Sequence, residues 1–155
     1  VTTYDSRRPG GTQPAVPPQR DRRGRPLHAG DLRIEAWAPT MPGCVAEAVR
    51  ALADSFLGPA RPPLACRVRF DVRGESEALL LETVLRQVIS WPSRRTQVAV
   101  SAEVARTPSG LWVRCELIDA GAVRPVGAIP KGVAKGSVRC EPALDGWRCE
   151  AGIDV

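Results

Sequence analysis

The sequence predicts an α+β fold, with two amphipathic helices packed on a mostly antiparallel or mixed sheet. Three observations carry that expectation. Strand and helix patterns alternate through the first half of the chain, two apolar stripes recur at helical spacing, and the second half is a run of strand-like segments divided by hairpin turns. With 155 residues, 43% hydrophobic and 25% charged, the chain suits one domain built on one core.

Residues 1–26 stand apart. They hold five prolines, three glycines and six arginines against two aspartates, with almost no large apolar side chains. Such a segment buries too little surface to offset its chain entropy, so it is read as a disordered tail ahead of a domain over 27–155. Most of the net charge of +5 resides there. The folded part is then nearly neutral, and an arginine-rich arm is the part able to meet RNA without sequence preference.

The first strand is read over Asp31–Ala38, where Leu32, Ile34 and Ala36 alternate with Arg33, Glu35 and Trp37. Thr40 and Pro42 then supply a capping hydroxyl and an early proline for a helix whose stripe is Met41, Val45, Ala48, Val49, Leu52 and Phe56. Gly58-Pro59 is its expected stop. A second strand follows, with Leu64, Cys66, Val68, Phe70 and Val72 facing inward, and Gly74 breaks it. Glu75 and Glu77 suit the start of a second helix, which presents Leu81, Val84, Leu85, Val88 and Ile89 and is expected to end at Pro92. Val98 to Val104 and Leu111 to Leu117 read as a hairpin turning at Pro108-Ser109-Gly110. Beyond the Gly- and Pro-rich stretch 121–132, Val133 to Cys140 and Trp147 to Val155 read as a last hairpin joined through Leu144-Asp145-Gly146.

Several chemistries lack their residues. One histidine, His28, and no GxSxG elbow give nucleophilic hydrolysis no support. Neither GxGxxG nor GxxxxGK[ST] occurs, so those phosphate loops are unsupported as well. Five cysteines without a CxxC pair read as reduced, buried thiols rather than zinc ligands. No apolar run reaches membrane-spanning length and no apolar leader follows the arginines, so a cytoplasmic protein is expected, with no membrane partner.

Carboxylates are the better lead. Asp31 opens the first strand and Asp154 closes the last, each on the parity opposite its strand's apolar face. If those strands are antiparallel neighbours, both acids meet at one end of the sheet. Two carboxylates with an oxygen from Val155 suit a hard divalent cation. The segment "PKGVAKGS" (130–137) brings two lysines and two glycines, which fits either a turn entering a strand or an approach to phosphate.

Three blocks carry a resemblance to a known family. "LHAGDLRIEAWAPTMPGCVAEAVRALADSF", "ESEALLLETVLRQVI" and "PKGVAKGSVRCEPALDGWRCEAGIDV" together resemble the archease family in order and spacing over 27–155. The resemblance implies a small accessory protein that is not itself an enzyme. Its implied partner is a GTP- and manganese-dependent RNA ligase that joins 3′-phosphate to 5′-hydroxyl ends in tRNA splicing or RNA repair, with guanylylation and turnover of that ligase promoted. It also implies a divalent ion, calcium ahead of magnesium or manganese, held by Asp31, Asp154 and an oxygen of Val155. His28 and Lys131 match positions that face the partner or a phosphate. The chain departs from the family pattern at Ala29 and Gly30 in the opening motif and at Ala134, Lys135 and Gly136 in the closing one. "SWPSRR" stands where relatives carry an acidic loop. The alternative is a divergent metal- or RNA-binding module that keeps the fold without the ligase role.

Deleting residues 1–26 is expected to leave the melting temperature unchanged, measured by thermal unfolding of the full and shortened chains. Any RNA affinity carried by the arm should vanish with it and fall steeply with salt.

Overall fold

Strand β1 (Leu32–Ala38) begins where the alternation begins, with Ile34 and Ala36 buried. It opens the described part of the chain: the computed structural model describes residues 31–155. The tail, His28, Ala29 and Gly30 lie outside the described residues.

Helix α1 (Met41–Asp54) starts as its sequence dictates. Thr40 is the N-cap, its hydroxyl accepting the Gly43 N–H at 3.1 Å, and Pro42 stands in the first turn. The helix closes at Asp54, earlier than Gly58. Ser55 caps it with its hydroxyl donated to the Leu52 carbonyl at 2.6 Å, and the chain then leaves to let Leu57 bridge Pro125. Strand β2 (Cys66–Arg73) begins two residues later than the alternation predicts.

Helix α2 (Glu77–Arg95) corrects a boundary. Ser76 caps its start and Glu77 lies in the first turn, but Pro92 sits inside the helix rather than ending it. Proline forfeits one backbone bond near the helix end, where Trp91 supplies compensation. That indole is 2% exposed and meets Phe70 of β2 edge-on, with centroids 5.6 Å apart. The helix ends instead at Thr96, which takes a left-handed conformation at φ 55°.

Strands β3 (Gln97–Thr107) and β4 (Gly110–Asp119) form the expected hairpin, with Thr107 opposite Gly110. β3 does not keep one parity, because its register shifts between Ala99 and Ser101. A bulge flips the following side chains to the other face. Ala99, Ala102 and Val104 therefore join the main core, while Val98 and Val100 join a smaller cluster with Phe56, Leu57 and Ile118.

The last hairpin also differs in one respect. The stretch read as one strand from Val133 to Cys140 is two: β5 (Gly132–Val133) and β6 (Arg139–Ala143), separated by a turn. Both pair with β7 (Gly146–Asp154). Gly136 has φ +72°, the left-handed region that interrupts a strand, and Gly146 has φ +147°, where a Cβ would fall 2.4 Å from the Ala38 carbonyl oxygen.

Two antiparallel sheets result. One orders β2-β4-β3, and the other orders β1-β7-β5 with β6 also on β7. Both helices pack on inner faces of these sheets. The main core joins Ile34, Ala36, Ala151 and Ile153 of one sheet to Val72, Leu111, Val113 and Leu117 of the other through Val45, Val49, Leu81 and Leu85 of the helices. The predicted α+β class holds, as two wholly antiparallel sheets rather than one mixed sheet.

Leu81 is 0% exposed and Leu144 is 100% exposed. Leu81→Ala is expected to destabilise by about 2–5 kcal/mol, through lost burial and the cavity left behind. Leu144→Ser should change stability by less than about 0.5 kcal/mol. Urea unfolding of both variants checks the contrast.

Candidate functional site

The site's geometry follows from one pairing. β1 and β7 run antiparallel with Leu32 opposite Ile153 and Arg33 opposite Gly152. One step beyond Leu32 and Ile153, the same register leads to Asp31 and Asp154, at one end of the sheet. Residues opposite each other in an antiparallel pair project to the same face. The condition set by parity is therefore met: first and last strands are neighbours and their outward acids share an edge. Asp154 is exposed and Asp31 half-buried.

The segment 131–137 wraps the same end of β7 from the other side. The Lys131 N–H donates to the Asp154 carbonyl at 2.7 Å, and Gly132 and Val133 pair with Asp154 and Ile153. Gly132 leaves room beside the acid: a side chain there would approach a carboxylate oxygen of Asp154 at 3.5 Å. Ala134 donates its N–H to the Gly152 carbonyl at 2.8 Å, and the Ser137 hydroxyl accepts the Gly152 N–H at 3.0 Å. The departures Lys135 and Gly136 lie at the exposed tip of this turn. Lys131 is thus fixed by its backbone beside Asp154, while its side chain is exposed. Val155 is half-buried and packs against the core.

Three of the predicted positions, Asp31, Asp154 and Lys131, come to one end of the sheet, with Val155 following directly. His28 lies outside the described residues. Among the described residues no three His, Cys, Asp or Glu side chains gather into a metal-holding group. A cation here would rest on two carboxylates and main-chain oxygen, a donor set that fits a hard ion and not a soft one.

Sequence reading missed the charge network that continues inward on the same face. Arg33 contacts Glu35 at 3.2 Å and also pairs closely with Glu150. Arg148 reaches Glu35 at 3.1 Å and Glu150 at 3.3 Å, and its guanidinium lies 5.5 Å from the centre of the Trp37 ring. Glu150 is only 4% exposed. Its two arginine partners hold it there, since a buried carboxylate without them would be costly. Alternation of opposite charges at matched parity in "RIEAW" and "WRCEA" was the available signal.

The cysteines are free, as expected. Cys44, Cys115 and Cys149 are buried, and burial pushes the Cys115 thiol up to about 12. Hydrogen bonding to Cys140 and Cys44, with burial, raises Cys149 as well.

Two helices on antiparallel sheets, first and last strands adjacent, and paired acids where they meet define a class of small α+β domain with an acidic sheet end. The chain belongs to the archease protein family, whose pattern it matches over residues 27–155. It is 34% identical over 129 residues to the "Probable protein archease" of Mycobacterium tuberculosis, from strain CDC 1551 and from strain H37Rv alike. That similarity covers 83% of this chain and 72% of each relative. An archease of Thermotoga maritima, described as a possible chaperone, superposes with a TM-score of 0.58 at 13% identity, over 84% of this chain and 96% of its own. That likeness is one of fold. No helix among the described residues is long and apolar enough to cross a membrane.

A raised thiol pKa favours the protonated form in the folded state. The unfolded chain releases the Cys115 proton above pH 9.0 and the folded chain only near 12, so stability is full below pH 9.0 and declines as pH rises toward about 12. Cys115→Ala should lessen that decline, and the raised Cys149 thiol keeps its own share. Urea midpoints across this window, for both proteins, measure it.

Proposed function

We propose that this protein is an accessory factor, not an enzyme, that activates a GTP- and manganese-dependent RNA ligase through a divalent-cation site at the acidic end of the β1–β7 sheet. The observation that supports the reading most is the β1–β7 register, which brings Asp31 and Asp154 to a common edge. The partner class is the one that the resemblance to the archease family implies, and membership of that family is consistent with it.

Asp31, Asp154 and a main-chain oxygen of Val155 would hold the ion, with calcium ahead of magnesium or manganese. A hard cation bound there supplies a positive centre for phosphate oxygens. The chain's own residues do the rest. The β1–β7 pairing keeps the two acids at one edge, and the Lys131 backbone bond to Asp154 fixes the strand end. The Lys131 ammonium is exposed and offers a second cation to a phosphate or to the ligase's guanylylation pocket. By resemblance to the family, His28 would face the same partner or phosphate. Such a protein works in the cytoplasm, in tRNA splicing or RNA repair.

A cation that binds only the folded chain stabilises it, so the ion should raise the melting temperature. Asp31→Asn and Asp154→Asn are expected to abolish that rise while leaving metal-free unfolding nearly unchanged. Titration calorimetry with Ca²⁺, Mg²⁺ and Mn²⁺ reads binding directly. Guanylylation of the ligase, assayed with and without each protein, reads function. Stimulation by the wild type that is lost in both aspartate variants is the expected result. Metal binding without stimulation would leave the alternative, a divergent module that kept the fold and lost the ligase role. An equal null response to metal in all three proteins would remove the site.

A further inference from the structure

We propose that Cys140 and Cys149 form a reversible disulfide, making the β6–β7 hairpin a site of oxidative modification by small disulfides such as glutathione disulfide. The two cysteines are direct partners across the antiparallel β6–β7 pair. Opposed residues in such a pair have Cα atoms about 4.5 or 5.5 Å apart, and both values lie inside the range of about 4.4–6.8 Å that a disulfide spans. Their sulfurs are already 3.1 Å apart, so bonding needs a shift of about 1 Å and no backbone rearrangement.

The surroundings select this pair among the five thiols. Cys44 also neighbours Cys149, but it is wholly buried and its thiol is directed to the Ala36 carbonyl at 3.3 Å and the Trp147 carbonyl at 3.6 Å. Cys66 lies beside Gln97 in the other sheet, and Cys115 is buried on β4. Cys140 is half-buried, whereas Cys149 is 1% exposed. An oxidant therefore reaches Cys140 first.

The steps balance. The Cys140 thiolate attacks one sulfur of glutathione disulfide; the oxidant's S–S bond breaks and one glutathione thiolate leaves. Cys149 then gives its proton to water and attacks the Cys140 sulfur, expelling the second glutathione as thiolate. The protein loses two protons and two electrons, and the oxidant is reduced to two thiols. Hydrogen bonding to Cys140 and Cys44, together with burial, keeps Cys149 protonated, so its attack is the slower step and quickens as pH rises. The product ties β6 to β7 covalently, on the strand that ends in Asp154.

The test uses the full chain incubated with glutathione disulfide, quenched in acid, unfolded, and analysed by thiol labelling and mass spectrometry. The expected result is loss of two of the five thiols and of two hydrogen masses. Tryptic digestion without reductant should then yield peptide 140–148 linked to peptide 149–155, since cleavage follows Arg139 and Arg148. Cys66→Ser and Cys115→Ser should lose two thiols likewise. Cys140→Ser, at a half-buried position, should form no intramolecular bond, and it answers the question even if Cys149→Ser fails to fold. Retention of all five thiols in the folded protein, a link mapped to Cys44, or glutathione that stays on Cys140 at every pH would overturn the proposal.

Discussion

The pairing of β1 with β7 is the constraint on which the rest depends. It sets Leu32 against Ile153 and Glu35 against Glu150, and every outward pair along the two strands follows from that register. A slip of one residue would turn either Ile34 and Ala36 of β1 or Cys149, Ala151 and Ile153 of β7 out of the core and bury charge in their place. Hydrophobic burial therefore specifies the register, and the register in turn aligns the acids. The acidic edge is a by-product of core packing.

The four charges behind that edge reinforce the same alignment. Arg33 and Glu35 belong to β1, and Arg148 and Glu150 to β7, so two of their four contacts, Arg33–Glu150 and Arg148–Glu35, cross between the strands. Glu150 tolerates burial only in the native register, where both guanidinium groups reach it. Ion pairing of this kind adds little net stability against an apolar pair, but it penalises alternatives heavily. It leaves the outer face nearly neutral between the acids and Trp37.

Much of this was legible in the residues, for physical reasons. Period-two alternation revealed β1, β2, β4 and β7, and period-3.6 stripes revealed both helices. Thr40 with Pro42 marked the start of α1 correctly, because capping is a local matter. Parity alone placed Asp31 and Asp154 on outward faces, although only the fold could make their strands neighbours. The errors arose where tertiary contact overrode local preference. Trp91 packing on Phe70 carries α2 past Pro92, and the bulge after Ala99 lets one strand serve two clusters. The break between β5 and β6 followed from Gly136, whose left-handed backbone was hidden inside a run of plausible strand residues. His28 and the tail lie outside the described residues.

The Arg33–Glu150 contact closes a loop of 117 residues. By contrast, β3 and β4 meet across a two-residue turn and need little chain closure. Loop-closure entropy therefore orders assembly: the β2-β4-β3 sheet can gather early from near neighbours, while β1 waits for a partner made last. On the ribosome, β1 spends most of synthesis with its edge unpaired and Ile34 and Ala36 exposed. A protein of this topology carries its own aggregation hazard until β7 emerges, and its yield in the cell depends on how well that interval is protected.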